Sequence, residues 1–290
     1  MIFSLSFFNI YLYIYIKMNN IIGIIGLGFV GGAIYKSFTE KKINVIGYDI
    51  NIEGSTFKDC LKANIIFLCL PTQFNETEKS FDKSIIIDVL SDLNMNNYKG
   101  LVIIKSTVEP NTTDILQELF PKLKLFHNPE FLSANTAFED FHYQSHIVLG
   151  KSSTSSYEDL KQLEDFYHNY YPDAKISLCS SNESESMKIY LNCFYSVKIQ
   201  FFNELYLLCD KTKTDYNNIL DLMLKNNWIN PMHTKVPGTD GKLSYGGYCF
   251  PKDTNALLHF MKEMDSPCKV LEASIKERNE MRDDKLNIIN

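Results

Sequence analysis

Asn20 to Asp49 constrains the fold more than any other stretch of the chain. Ile21–Ile25 is a short, unbroken apolar run, and Gly26, Gly28 and Gly31 come next as G-x-G-x-x-G, with Phe29 and Val30 between the last two. A helix-like segment continues to about Lys41. A second apolar run, Asn44–Tyr48, ends in Asp49, 18 residues beyond Gly31. A glycine triplet alone is weak evidence, because Gly-rich turns occur in many α/β domains. Strand, glycines, helix, strand and terminal acid in this order predict the first βαβ unit of a Rossmann-type, doubly wound parallel sheet. The glycines permit a tight turn and let a pyrophosphate approach a helix N-terminus, where free N–H groups and the helix dipole favour an anion. Asp49 would accept hydrogen bonds from the adenosine ribose and repel a 2′-phosphate, so the expected cofactor is NAD rather than NADP.

Later segments repeat the pattern. Apolar runs at Asn64–Leu70, Leu101–Lys105, Lys124–His127, His146–Leu149 and Lys175–Cys179 predict strands. Helical patterns fall between them near Ser84–Leu93, Thr112–Phe120 and Tyr157–Tyr170. Such alternation argues for a parallel sheet with helices on both faces, over residues 18–181. In sheets of this kind ligands bind beyond the carboxyl ends of the strands. Pro71-Thr72, Ser106-Thr107 and Asn128-Pro129-Glu130 all fall at that edge.

Residues 182–290 read as a second, helical domain. A long helix from about Asn182 to Lys211 is apolar over much of its surface, as a core or subunit-interface helix is. Lys188 and Asn192 interrupt it four residues apart, which places them on one helical face; a solvated stripe is the plain explanation. A shorter helix at Tyr216–Lys225 and a long Asn-, Pro- and Gly-rich loop, Asn226–Lys242, precede Tyr245-Gly246-Gly247-Tyr248-Cys249-Phe250-Pro251-Lys252-Asp253. If Pro251 opens a helix, Cys249 lies at or just before its N-terminus. The helix dipole would then favour a thiolate, Lys252 would add positive charge, and Asp253 could hold a water. Without other evidence, a buried structural cysteine in a tight turn explains the same residues.

Composition excludes several classes. The 290 residues are 45% hydrophobic and 22% charged with net charge −6, which fits a two-domain globular chain. There is no dense basic run, so no nucleic-acid partner is expected. The seven cysteines are odd in number and lack C-x-x-C, and the six histidines lack H-x-x-x-H. Free thiols in a reducing, cytoplasmic compartment and no metal site are expected. Ile2–Ile16 is nearly all apolar or tyrosine, too short for a comfortable membrane span and without the features of a signal peptide. Met18 is the expected working start, with residues 1–17 an extension outside the fold and no membrane association; a membrane-associated tail is the rival explanation.

Together, Gly26-Leu27-Gly28-Phe29-Val30-Gly31, Ser106-Thr107-Val108, Asn128-Pro129-Glu130-Phe131-Leu132, Lys188 with Asn192, and Gly246 to Asp253 resemble the UDP-glucose/GDP-mannose dehydrogenase family. The motifs stand in the family's order, from about Asn20 to the end of the chain. The resemblance implies oxidation of a sugar nucleotide, UDP-glucose in the nearest case, from primary alcohol to carboxylate with two NAD+. It implies Cys249 as the nucleophile that forms a thiohemiacetal and then a thioester. Lys188 and Asn192 would stabilise the oxyanion, Asp253 would help activate or position water, and Thr107 and Glu130 would handle protons. Gly26, Gly28, Phe29, Val30, Gly31, Asp49, Pro71, Thr72, Ser106 and Thr107 would bind the cofactor. Glu130, Phe131, Leu132, Lys188, Asn192, Gly246 and Lys252 would bind the UDP-sugar.

The chain departs from the family pattern in two places. Ala134 and Asn135 stand where the family has a second acid and a glycine. The chain also ends soon after Glu277-Arg278-Asn279-Glu280, where family members continue into a third domain holding the nucleotide half of the substrate. A homodimer through the Asn182–Lys211 helix is expected, and a separate chain supplying the third domain is a possible partner. Two other functions compete: a degenerate NAD-binding subunit, and a one-step β-hydroxyacid-type dehydrogenase, which would need no Cys249.

Overall fold

The computed structural model describes residues 21–133 and 135–284; the expectations placed on residues 1–17, Met18 and Ala134 lie outside them. The chain divides into two compact units. One runs to Thr72 and resumes over Lys83–Glu185; the other comprises Gln73–Asp82 and the chain from Ser186 onward. The ten residues Gln73–Asp82 thus leave the first unit and join the second, a detour that the strand-and-helix pattern does not predict.

In chain order the strands are β1 (Ile21–Ile25), β2 (Asn44–Tyr48), β3 (Ile65–Leu68), β4 (Phe74–Asn75), β5 (Ser80–Phe81), β6 (Leu101–Ile104), β7 (Lys124–His127), β8 (His146–Lys151) and β9 (Lys175–Ser180). The first unit is built on one sheet in the order β2-β1-β3-β6-β7-β8-β9. Its helices are α1 (Phe29–Glu40), α2 (Phe57–Cys60), α3 (Ser84–Met95), α4 (Thr112–Leu119), α5 (Ala137–His142) and α6 (Tyr157–Tyr170). Alternate strand residues serve opposite faces. Ile22, Ile24, Ile65, Phe67, Leu101 and Ile103 pack with Phe38, Phe141, Phe166 and Tyr167. Ile25, Ile66, Leu68, Val102 and Ile104 pack with Ile86, Leu90 and Leu93 on the other side. Burial on both faces is why these strands are continuous apolar runs rather than alternating ones.

All pairings in this sheet are parallel except β7 with β8. The expected doubly wound parallel sheet is thus present, with one antiparallel pairing within it. After β7 the chain forms α5, which packs on the second half of α1. Phe38 and Phe141 meet edge-on at 5.6 Å, and Lys36 lies 4.1 Å over the Phe138 ring. The next strand starts beyond the carboxyl end of β7 and runs back antiparallel to it.

The second unit holds most of α7 (Ser181–Thr212), then α8 (Tyr216–Leu224), α9 (Cys249–Glu263) and α10 (Lys269–Met281), with β4 and β5 as an antiparallel hairpin. The first turn of α7 carries a capping box. Glu183 accepts from the Ser180 N–H and hydroxyl, and the Ser180 hydroxyl accepts from the Glu183 N–H. Phe81, Ile189, Cys193, Ala256, Leu257, Leu258, Leu271 and Ile275 form one core. Phe202, Cys209, Tyr216 and Val236 form another. Phe81 is 1% exposed, which anchors the hairpin in this unit.

Candidate active site and cofactor cradle

The strand ladder extends one residue past each strand end. Gly26 N donates to Tyr48 O, Cys69 N to Ile25 O, Lys105 N to Leu68 O and Asn128 N to Ile104 O. These bonds bring the ends of five strands side by side at the carboxyl edge. There Gly26 adopts φ +89°, and Gly28 caps α1 without a side-chain hydrogen bond. A Cβ on Gly31 would lie 1.8 Å from Gly26 O, whereas one on Gly28 would meet nothing within 4 Å. Gly31 is therefore required by packing, and Gly28 leaves open space in front of a helix N-terminus. Phe29, 53% exposed, and Val30 form the first turn behind it.

Asp49 is fixed by two backbone donors: Leu27 N at 2.7 Å to Oδ2 and Asn51 N at 2.9 Å to Oδ1. The bonds from Asn51 and then Leu27 hold its carboxyl below the usual carboxylate range, although burial opposes them. A cavity of about 650 Å³ lies alongside, lined by Leu27, Gly47, Ile52 and Ser55 among others. Across the edge, the Thr72 hydroxyl donates to Thr107 O at 2.7 Å, and the Ser106 hydroxyl donates to Leu70 O at 2.6 Å. These bonds tie Pro71-Thr72 to Ser106-Thr107, so the two loops named from sequence are one surface. An open glycine, an uncapped helix start and an oriented, ionised aspartate fit a dinucleotide.

One residue of this edge escapes a sequence reading. Lys105 is 2% exposed, and its ammonium donates to Asn128 Oδ1 at 2.9 Å and to Pro129 O at 3.3 Å. Asn128 Oδ1 also accepts from the Tyr167 hydroxyl, and Asn128 Nδ2 donates to Val148 O. The loop that carries Glu130, Phe131 and Leu132 is thus anchored from beneath by a buried cation. Glu130 Oε2 accepts from Leu132 N at 2.6 Å, which curls the loop on itself, and the Phe131 ring stacks on His146.

In the second unit, α9 begins at Cys249 itself, with no acidic residue in its first turn. Pro251 sits two residues inside the helix, where its missing N–H breaks no intrahelical bond. Of the seven cysteines, Cys249 alone is exposed. Burial pushes the Cys60 thiol up to about 11 and Cys69 to about 12, which leaves those sulfurs protonated and inert. The buried-cysteine explanation therefore fails for Cys249.

Asp253, one turn further along α9, is fully buried. Its Oδ1 accepts from the Lys252 ammonium at 2.6 Å and its Oδ2 from Asn192 Nδ2 at 2.6 Å. Lys188 and Asn192 are 5% and 7% exposed, which rules out a solvated stripe on α7. Lys252 is sandwiched near aromatic rings, 4.4 Å over Phe81 and 5.8 Å from Tyr248. Burial alone would lower its pKa, but Asp253 and then Cys249 carry it above the ordinary lysine value. The second unit thus brings Asn192, Lys252 and Asp253 into one hydrogen-bonded chain one turn below Cys249, with Lys188 one turn from Asn192. The remaining site residues, Thr107 and Glu130, belong to the first unit. At Gly246, expected to bind substrate, a Cβ would lie 2.4 Å from the Arg282 guanidinium.

Among the described residues no cluster of three or more His, Cys, Asp and Glu is placed to hold a metal ion, and no helix is long and apolar enough to cross a membrane.

Residues 52–170 match the model of the UDP-glucose/GDP-mannose dehydrogenase family, NAD binding domain, and residues 182–280 match that family's central domain. A UDP-glucose 6-dehydrogenase of Campylobacter jejuni is 28% identical over 250 residues, 85% of this chain and 59% of that protein. One of Rickettsia felis is 32% identical over 232 residues, 75% of this chain and 48% of that protein. The chain spans about half the length of the curated relatives it matches. Among solved structures, a UDP-glucose dehydrogenase of Pyrobaculum islandicum superimposes with a TM-score of 0.80 at 22% identity, over 90% of this chain and 68% of that one. At that identity the likeness shows the fold.

Proposed function

Because the chain belongs to the UDP-glucose/GDP-mannose dehydrogenase family, we propose that it oxidises a UDP-sugar, UDP-glucose in the first instance, from primary alcohol to carboxylate. The observation that carries the reading is Cys249, the one exposed thiol, at the start of a helix and one turn from the buried chain of Asn192, Asp253 and Lys252. The Gly26–Gly31 turn, Asp49 and the joined Thr72 and Ser106 loops would hold NAD, which would supply the hydride acceptor for each of two oxidations.

The protein's own residues do the rest. Loss of one hydride and one proton converts the alcohol to an aldehyde. The Cys249 thiolate adds to the carbonyl carbon, and the oxygen takes a proton to give a thiohemiacetal. Loss of a second hydride and the hydroxyl proton leaves a thioester. Water then adds, the C–S bond breaks, and a carboxylate and a free thiol remain. Lys188 supplies a charge and Asn192 an amide donor where negative charge develops on oxygen. Solvent does not reach Asp253, so its role is to orient Asn192 and Lys252 rather than to take a proton from water. Thr107 and Glu130 keep the proton-handling role that the family resemblance implies. The exposed apolar stripe of α7, Tyr190, Phe194, Phe201 and Leu208, supports dimerisation through that helix.

The test is NADH formation by the purified chain with UDP-glucose and NAD+, counted per sugar consumed. Two NADH per sugar are expected, and Cys249→Ala abolishes turnover. One NADH per sugar, or an active alanine variant, refutes the covalent route. No turnover with NAD+ still bound would favour a binding subunit that needs a second chain.

A further inference from the structure

We propose that Arg282, with Arg278, is a positioning residue that locks the loop carrying Cys249, and that Gly246 is glycine to admit its guanidinium. The inference rests on the reading of Cys249 as the nucleophile.

Two arginines one turn apart at the end of α10 are almost wholly buried, Arg278 at 3% and Arg282 at 7% exposure. Three successive carbonyls of the loop accept from them. Arg282 Nη1 reaches Leu243 O at 3.0 Å and Ser244 O at 3.3 Å, and Arg278 Nε reaches Tyr245 O at 3.2 Å. Asp284 accepts from both guanidinium groups, and Asp240 accepts from Arg282 at 2.6 Å. Both cations are therefore neutralised, and they are not a site for an anionic ligand. Helix α7 grips the same loop from elsewhere. Asn203 Oδ1 accepts from Ser244 N at 2.8 Å, and Gln200 Oε1 accepts from the Ser244 hydroxyl at 2.5 Å. Beyond these anchors the chain makes one left-handed step, Gly247 at φ +76°, and enters α9 at Cys249. The thiol's position is thus set by the anchored residues upstream and by the packed helix downstream.

The position filled by Arg282 is where a Gly246 side chain would begin, 2.4 Å from Nη2. That contact provides a test which general loss of stability does not mimic. Gly246→Ala forces the guanidinium aside, and removing the guanidinium makes room for the methyl group. The variants are Gly246→Ala, Arg282→Ala and the double substitution, each checked for folding by circular dichroism. The readout is the rate of Cys249 alkylation by iodoacetamide at neutral pH, measured by peptide mass spectrometry. This reports thiol placement at the helix start without requiring turnover.

Each single substitution is expected to slow Cys249 alkylation at least fivefold. The double variant is expected to stay within twofold of Arg282→Ala, so that the two effects do not multiply. Independent effects of the two substitutions, or an unchanged rate in Arg282→Ala, would overturn the proposal. Should Arg282→Ala not fold, Arg282→Lys takes its place in the cycle, with the same criterion. If alkylation shows the expected pattern while wild-type protein oxidises no UDP-sugar, the clamp stands and the proposed activity fails.

Discussion

Replacing Asp253 with asparagine keeps the side chain's shape and removes its charge. In the native protein two donors converge on this carboxylate, the Lys252 ammonium on one oxygen and the Asn192 amide on the other, both at 2.6 Å. An asparagine has one acceptor and one donor end. With Asn192 in its native orientation, either rotamer sets one N–H group against another donor, which costs about 1–3 kcal/mol. It also leaves the Lys252 ammonium, 6% exposed, without its counter-ion. Breaking a buried pair costs about 3–5 kcal/mol, and the Phe81 ring 4.4 Å away recovers a part of that. Asp253→Asn should therefore destabilise the second unit by about 4 kcal/mol. Adding Lys252→Met removes the stranded charge and should restore about 2–3 kcal/mol. The assay is urea unfolding by circular dichroism, with hydrogen exchange of the Cys249–Glu263 helix assigning the transition to this unit. The raised pKa of Lys252 fixes the pH window. Its stabilisation is fully present below the ordinary lysine value of 10.5 and is lost as pH rises through the folded value, so the cost of Asp253→Asn should be flat from about pH 6 to 9. A cost under about 1 kcal/mol, or additive costs in the double variant, would refute the buried chain as the element that holds Asn192 in place.

Glu185 is fully buried at the start of α7, and its Oε1 accepts from Thr113 N and the Thr113 hydroxyl. Burial pushes its carboxyl up to about 7 despite those bonds, so the folded state retains a proton that the unfolded chain loses near 4.5. Stability should fall by about 3 kcal/mol as pH rises from 4.5 to 7. Glu185→Gln, which still accepts from Thr113, should remove that slope in thermal unfolding; an unchanged slope would assign it elsewhere. The glycine turn offers a second contrast. Gly28→Ala should fold normally and weaken NAD+ binding at least tenfold by calorimetry, whereas Gly31→Ala should fail to fold because its Cβ collides with Gly26 O. Full NAD+ affinity in Gly28→Ala would place the pyrophosphate elsewhere.

The sheet was legible because its strands are buried on both faces, and each therefore leaves an apolar run that marks it whatever its neighbours are. Asp49 and the glycines were legible for a related reason, since their spacing is dictated by the backbone of a single βαβ unit. The features that escaped depend on partners distant in sequence. The hairpin Phe74–Phe81 is two residues per strand, too short to alternate, and its membership of the second unit rests on packing of Phe81 with Ile189 and Leu257. Lys105 looks like the polar end of a strand until Asn128 and Pro129 are found beside its ammonium. Arg278 and Arg282 resemble the charged surface of a last helix, and nothing within α10 announces that each reaches a carbonyl more than thirty residues upstream.

Burial separates the polar residues of the second unit into those open to solvent and those closed from it. Cys249 is open to solvent. Asp253, Lys252, Arg278 and Arg282 are closed, and each charge is matched by an opposite one within 3 Å. A closed ion pair adds little net stability over a well-packed apolar pair, because desolvation offsets its Coulomb attraction. It does add direction, since breaking it leaves a stranded charge and the geometry has few alternatives. Asn192 inherits its orientation from Asp253, and the Cys249 loop inherits its course from Arg278 and Arg282. An amide aimed in advance at a developing oxyanion costs no reorganisation during reaction. A lysine and an aspartate adjacent to Cys249 in sequence are therefore buried with each other rather than turned towards solvent, and in the proposed mechanism they hold the reacting groups in place.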